Sequence, residues 1–107
     1  MRRLTAAQLS DRLAREAAAR PQLLDVREPW EVEIGALPGS IAIPMGELPA
    51  RLGELDAHRP VVCVCHHGVR SLHVAHWLAR QGFADVSNLD GGVDAWAHEV
   101  DVEFPTY

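Results

Sequence analysis

One continuous apolar run stands out along the chain, Val61-Val62-Cys63-Val64, of the type expected for a central strand covered on both faces, and Val86 to Leu89 predicts one more strand. Leu23-Leu24-Asp25-Val26 and Ile41-Ala42-Ile43 predict two further strands, the first ending in the polar Arg27-Glu28-Pro29 and the second stopped by Pro44. Between these runs the apolar positions recur at helical spacing. Leu9 and Leu13 fall one turn apart behind a Thr5-Ala6-Ala7-Gln8 capping box, which predicts a helix from about 6 to 19, closed by Pro21. Leu72, Ala75 and Leu78-Ala79 predict a helix starting near Ser71 and stopped by Gly82. A helix punctuated by Pro49 is expected within Met45 to Leu55, and a short one carrying Val93, Ala95 and Trp96 after Gly91-Gly92. Trp30 through Pro38 keeps no persistent period and reads as an ordered excursion with a Pro38-Gly39 turn. Asp101 to Tyr107 reads as a tail laid back over the body.

Strands alternating with helices predict a parallel α/β sheet with function at the carboxyl ends of its strands, where Asp25 and Cys65 both lie. The length of 107 residues predicts one domain over 1–107 that needs no staple or metal to hold its core. Fifteen acidic residues against ten basic ones give a net charge of -5, which disfavours a nucleic-acid partner. An anionic substrate must therefore be attracted locally. Every basic residue is arginine, so lysine Schiff-base chemistry is excluded. No run of 18 apolar residues is present, and the start has polar helix pattern where a signal peptide has an apolar centre. These features predict no membrane partner and a cytoplasmic location. Cys63 and Cys65, one residue apart in an extended segment, hold their side chains about 6 to 7 Å apart, beyond disulfide reach. Two free thiols in a reducing compartment are expected.

The candidate chemistry lies in Cys65-His66-His67-Gly68-Val69-Arg70, between a strand and a helix. A thiol at the end of a strand, followed by a glycine-containing loop and a helix N-terminus, faces backbone N–H groups that favour a thiolate and an anion beside it. Arg70 opposes the helix dipole and needs a reason to be there; an anionic substrate would be one. Gly68 reads as the loop's conformational joint, and Gly91-Gly92 as a close strand-to-helix approach. Neither set forms a nucleotide-binding fingerprint. Cys63 reads as a core residue, with a resolving thiol in a rearranged state as the alternative. His66 and His67, with His73 and His76 on the next helix, match no common closed metal site, so no metal is expected. The loop histidines would tune the site mouth through partial imidazolium character, while His73 lies on the helix surface and His76 at a packing position. Trp77 and Trp96 read as core anchors. Arg27 reads either as a local ion-pair partner of Glu28 or as a support of the site, and Asp25 as a brace of the loop.

Four segments together resemble the rhodanese family over essentially the full length. They are Leu24-Asp25-Val26-Arg27-Glu28, Leu37-Pro38-Gly39-Ser40-Ile41-Ala42-Ile43-Pro44, the loop from Cys65 to Ser71, and Val86-Ser87-Asn88-Leu89-Asp90-Gly91-Gly92-Val93-Asp94-Ala95-Trp96. The resemblance implies a three-layer α/β fold with a central, mainly parallel five-stranded sheet. It implies that Cys65 takes a sulfane sulfur from thiosulfate or another persulfide donor and passes it to a thiophilic acceptor, without cofactor. It places His66, His67, Gly68, Val69, Arg70 and Ser71 around the substrate, with Arg70 on an anionic donor and Asp25 and Arg27 in support. The family's histidine two residues before the proline is represented here by Ala36. The alternative is a non-enzymatic sulfur carrier or protein-interaction module with the same cradle. A phosphatase loop has five residues between cysteine and arginine; this one has four, too tight for a tetrahedral phosphate yet sufficient for a sulfur atom.

Overall fold

The computed structural model describes residues 1–15 and 20–107. Its strands are β1 (Arg2–Leu4), β2 (Gln22–Asp25), β3 (Ile41–Ala42), β4 (Val61–Val64) and β5 (Val86–Leu89). They form one sheet in the order β1-β5-β4-β2-β3, every pairing parallel. The helices are α1 (Ala6–Leu13), α2 (Pro29–Ile34), α3 (Leu48–Arg51), α4 (Val69–Arg80) and α5 (Gly92–Glu99).

β4 alternates its side chains between two cores because successive residues of a strand point to opposite faces. Val61, Cys63 and Cys65 join Leu48, Val74, Ala75 and Leu78 on the α3–α4 side. Val62 and Val64 join Ala6, Leu9, Val93 and Trp96 on the α1–α5 side. The result is the expected three-layer α/β fold with a five-stranded sheet. Cys63 is fully buried, and that burial pushes its thiol up to about 12. Trp96 is buried and Trp77 is packed, half-buried, against the α4-side core.

Several elements differ from the sequence pattern. β1 was not anticipated: it is a three-residue edge strand with two exposed arginines, and Arg2 and Arg3 are held by Asp85 and Asp90. α1 ends at Leu13; the expected continuation over 16–19 falls outside the described residues. The segment expected as an excursion contains α2, whose Pro29 sits in the first turn and whose Glu31 closes a capping box onto the Glu28 backbone. Around Pro49 the chain forms a single α-turn flanked by two 3-10 turns. α4 begins two residues earlier than expected and buries Ser71, Val74, Ala75 and Leu78, so Leu72 is only half-buried and Ala79 is exposed. On the same helix His76 is exposed alongside His73. Among the described residues no helix is long and apolar enough to cross a membrane.

Connections leave β4 and β2 toward opposite edges of the sheet, which opens a crevice at the carboxyl ends of these adjacent strands. Asp25 pairs in register with Val64 there, and the Val26 N–H donates to the Val64 carbonyl at 3.0 Å. Both sequence-predicted site segments therefore emerge side by side.

Candidate active site

Cys65 follows β4 directly, and its side chain is 1% exposed. The chain then turns through Gly68, whose φ of +92° starts α4 from a left-handed conformation. A Cβ at this position would stand 2.9 Å from the Gly91 nitrogen and 3.0 Å from the Leu89 carbonyl oxygen. Glycine serves here both the turn and the close approach. The loop thereby folds back so that three donors meet Cys65 Sγ: the Gly68 N–H at 3.1 Å, the Ser71 N–H at 3.4 Å and the Ser71 hydroxyl at 3.2 Å. All three favour negative charge on the sulfur. Among the described residues the other loop amides, of His66, His67, Val69 and Arg70, make no hydrogen bond to Sγ itself.

The loop is clamped from the neighbouring strand. Asn88, at the end of β5, donates through Nδ2 to the Gly68 carbonyl at 3.1 Å and to Asp90 at 3.0 Å. Its Oδ1 lies 2.5 Å from the Ser71 hydroxyl, so the single Ser71 proton serves either Asn88 or the sulfur at any moment. From the other side α5 seals the loop, the Val93 and Asp94 amides donating to the Cys65 and His66 carbonyls at 2.9 and 3.0 Å.

Asp25 and Arg27 are both fully buried and pair with each other; Arg27 does not pair with Glu28. Arg27 satisfies every one of its five N–H donors: Nε and Nη2 reach Asp25, Nη2 also reaches the Gly35 carbonyl, and Nη1 reaches the Glu31 carbonyl and the Tyr107 hydroxyl. Asp25 makes no direct hydrogen bond to the loop among the described residues. Its bracing runs through Arg27 to α2 instead.

On α2 the decisive side chain is Glu31, 3% exposed. Its carboxylate accepts Arg70 Nη1 at 2.6 Å and Nη2 at 2.8 Å, the Tyr107 hydroxyl at 2.7 Å and the Glu28 N–H at 3.0 Å. This bidentate pair supplies the reason for a cation in the first turn of α4. The Arg70 hydrogen bonds, partly opposed by burial, hold the Glu31 carboxyl down at about 2 from its ordinary 4.5. A carboxyl depressed in the folded state contributes stability that is complete above about pH 4.5 and is lost as the pH falls toward 2. Urea midpoints followed from about pH 6 down to about pH 2 should therefore drop less steeply in Glu31→Gln than in the parent. Identical acid limbs would remove this role from Glu31.

The histidines cover the loop. His66 stacks between His67 and Tyr107, ring centroids 3.9 Å apart on each side, and Trp30 meets Tyr107 edge-on at 5.9 Å. Burial and the adjacent His67 push His66 below the ordinary imidazole range, which works against the imidazolium character expected of it. Asp94 joins the two histidines to bring three potential ligand atoms within 4.8 Å of one another. The two imidazole planes are stacked, 27° apart.

Glu31, Asn88 and Tyr107 complete the site without having been singled out from the sequence. Glu31 alone left a local signal, the Pro29 and capping-box spacing that starts α2.

A family model described as "Rhodanese-like domain" matches residues 5–99. The chain is 41% identical over 90 residues to "Rhodanese-like/PpiC domain-containing protein 12, chloroplastic" of Arabidopsis thaliana, covering 80% of this chain and 30% of that protein. It is 40% identical over 78 residues to "Thiosulfate sulfurtransferase GlpE" of Shewanella oneidensis, covering 73% of this chain and 76% of that one. The crystal structure of a rhodanese-like domain protein from Staphylococcus aureus superposes with a TM-score of 0.85 at 30% identity, covering 100% of this chain and 99% of that one.

Proposed function

Because the chain belongs to the rhodanese-like domain family, whose relatives include sulfurtransferases, we propose that it carries a sulfane sulfur as a persulfide on Cys65. The observation that supports this reading is the convergence of the Gly68 N–H, the Ser71 N–H and the Ser71 hydroxyl on one buried sulfur. The Cys65 thiolate attacks the outer sulfur of the donor. With thiosulfate, the donor's S–S bond breaks and sulfite leaves with the electron pair, while a new S–S bond leaves the sulfur on Cys65. A thiolate or cyanide then attacks that outer sulfur and returns the Cys65 thiolate. Each step exchanges one S–S bond for another or for an S–C bond, so the cycle needs neither metal nor nucleotide.

The donors that hold the thiolate are placed to hold the charge that develops as the S–S bond breaks. Ser71 turns its proton from Asn88 to the sulfur as charge builds there, and the Asn88 bond to Gly68 keeps the loop fixed meanwhile. His67 and Val69, both exposed, form the rim across which donor and acceptor pass. Thiosulfate is one donor class by analogy with the Shewanella relative's name.

Intact-mass spectrometry after incubating the reduced protein with sulfur donor tests the proposal. One added sulfur, roughly 32 Da, that maps to Cys65 and vanishes with cyanide is the expected result. No gain from thiosulfate or from organic persulfides would overturn it. A module that only relays sulfur between proteins would load the same cysteine but turn over no small acceptor.

A further inference from the structure

The charge balance around Cys65 is the feature that the loop motif does not explain. Arg70 lies within electrostatic reach of Cys65, yet its guanidinium is bound bidentately by Glu31. The Glu31 side chain is 4% exposed and that of Arg70 35%, so the carboxylate cannot swing away into water as a surface partner would. Four hydrogen bonds hold it in place. The other nearby cation, Arg27, is sealed against Asp25. Arg3 is paired with Asp90, the residue after β5 that accepts from the loop-clamping Asn88. Among the described residues around the loop, every arginine charge is thus matched by a carboxylate, Asp94 adds a further negative charge, and the chain as a whole carries -5.

The two donor classes place very different demands on such a site. Thiosulfate is a dianion; its encounter with the Cys65 thiolate gathers three negative charges, two of which must leave together on sulfite. An organic persulfide is attacked in its neutral form, R–S–SH, which brings no charge beyond the thiolate. Cys65–S⁻ attacks its outer sulfur, the R–S bond to that sulfur breaks, the proton stays on the transferred sulfur, and R–S⁻ departs with the electron pair. A paired arginine retains N–H donors but little net field with which to offset the larger charge. The rim offers aromatic and apolar side chains instead: a stack of His67, His66 and Tyr107 with Trp30 edge-on to Tyr107, Trp30 being 60% and Val69 64% exposed. Such a surface suits an uncharged organic group.

Resting on the persulfide cycle above, we propose that Glu31 is a specificity-determining residue: by neutralising Arg70 it tilts the site away from thiosulfate and toward persulfides carried on uncharged organic groups.

The test is single-turnover loading of Cys65, read by rapid-quench intact mass, with thiosulfate and with benzyl persulfide released in situ. The parent protein should load faster from benzyl persulfide at equal concentration. Glu31→Gln keeps the shape and one acceptor oxygen for Arg70 while removing the charge, and should raise the thiosulfate rate relative to the benzyl persulfide rate roughly tenfold. A merely structural Glu31 would move both rates alike. Equal loading of the parent from the two donors, or an unchanged donor ratio in Glu31→Gln, overturns the specificity assignment and leaves the persulfide cycle standing. Failure of both donors to load the parent overturns the cycle itself. The comparison on the parent decides the donor preference even where the variant folds poorly.

Discussion

Cys65→Ser is expected to abolish sulfur uptake while leaving the fold in place. The serine oxygen would sit where the sulfur sits, within the same three donors, so its polar atom is satisfied despite full burial. Exchange of a buried sulfur for oxygen should cost about 1–2 kcal/mol, a few degrees of Tm in a chain of this size. Reactivity falls much further. A serine hydroxyl becomes a nucleophile only when a neighbouring base takes its proton, and the partners of Cys65 Sγ among the described residues are two amides and another hydroxyl, none of them a base. Cys63 cannot substitute, being fully buried in β4 with its thiol pushed up to about 12. Intact mass after donor treatment, with thermal unfolding alongside, gives the readout. A cyanide-labile gain of sulfur in a folded Cys65→Ser protein would move the chemistry to another residue.

The readability of this site from its sequence follows the range of its contacts. β4 was legible to the residue because a strand buried on both faces writes itself as an unbroken apolar run, and β5 because Val86 and Leu89 bracket a short segment ahead of Gly91-Gly92, even though Ser87 and Asn88 within it are polar. The cysteine loop was legible because its parts are contiguous: strand end, Gly68, helix start. Glu31 was not, since the Arg70 it neutralises lies 39 positions away and the short α2 has too few turns to show a period. Tyr107, 76 positions from Glu31, left only the expectation of a tail folded over the body, which its stacking on His66 fulfils. β1 was hidden for a different reason. A three-residue edge strand with alternating register but exposed arginines carries no apolar signature; its position is set by the β5 edge that it covers. The consequence for function is specific: from the sequence Arg70 was assigned to an anionic donor, and the residue that already occupies it became visible only in three dimensions.

Gly92→Ala is expected to be the most destructive single-methyl change in the chain. Gly92 opens α5 at φ +60°, and a Cβ there would lie 2.3 Å from the His66 carbonyl oxygen and 2.4 Å from that of Cys65. Neither obstacle is a flexible side-chain end. Both carbonyls are already fixed by the Val93 and Asp94 amides, so relief requires the nucleophile's own backbone to retreat from α5. Strain from the left-handed conformation and overpacking together should cost about 4 kcal/mol, a large share of the 5–15 kcal/mol typical of a whole domain. Gly39→Ala separates the two causes. Gly39 has φ +77° with nothing within 4 Å of its Cβ position, and should lose only about 1–2 kcal/mol from the backbone conformation. Urea unfolding of the two variants measures the difference, and sulfur loading of whatever fraction of Gly92→Ala remains folded measures the displacement of Cys65. Equal costs for the two substitutions, with loading intact, would mean that α5 can shift as a unit and that its contact with the cysteine loop does not set the loop's position. A larger loss confined to Gly92 would show that the close approach of α5 at this glycine fixes the sulfur against its donors.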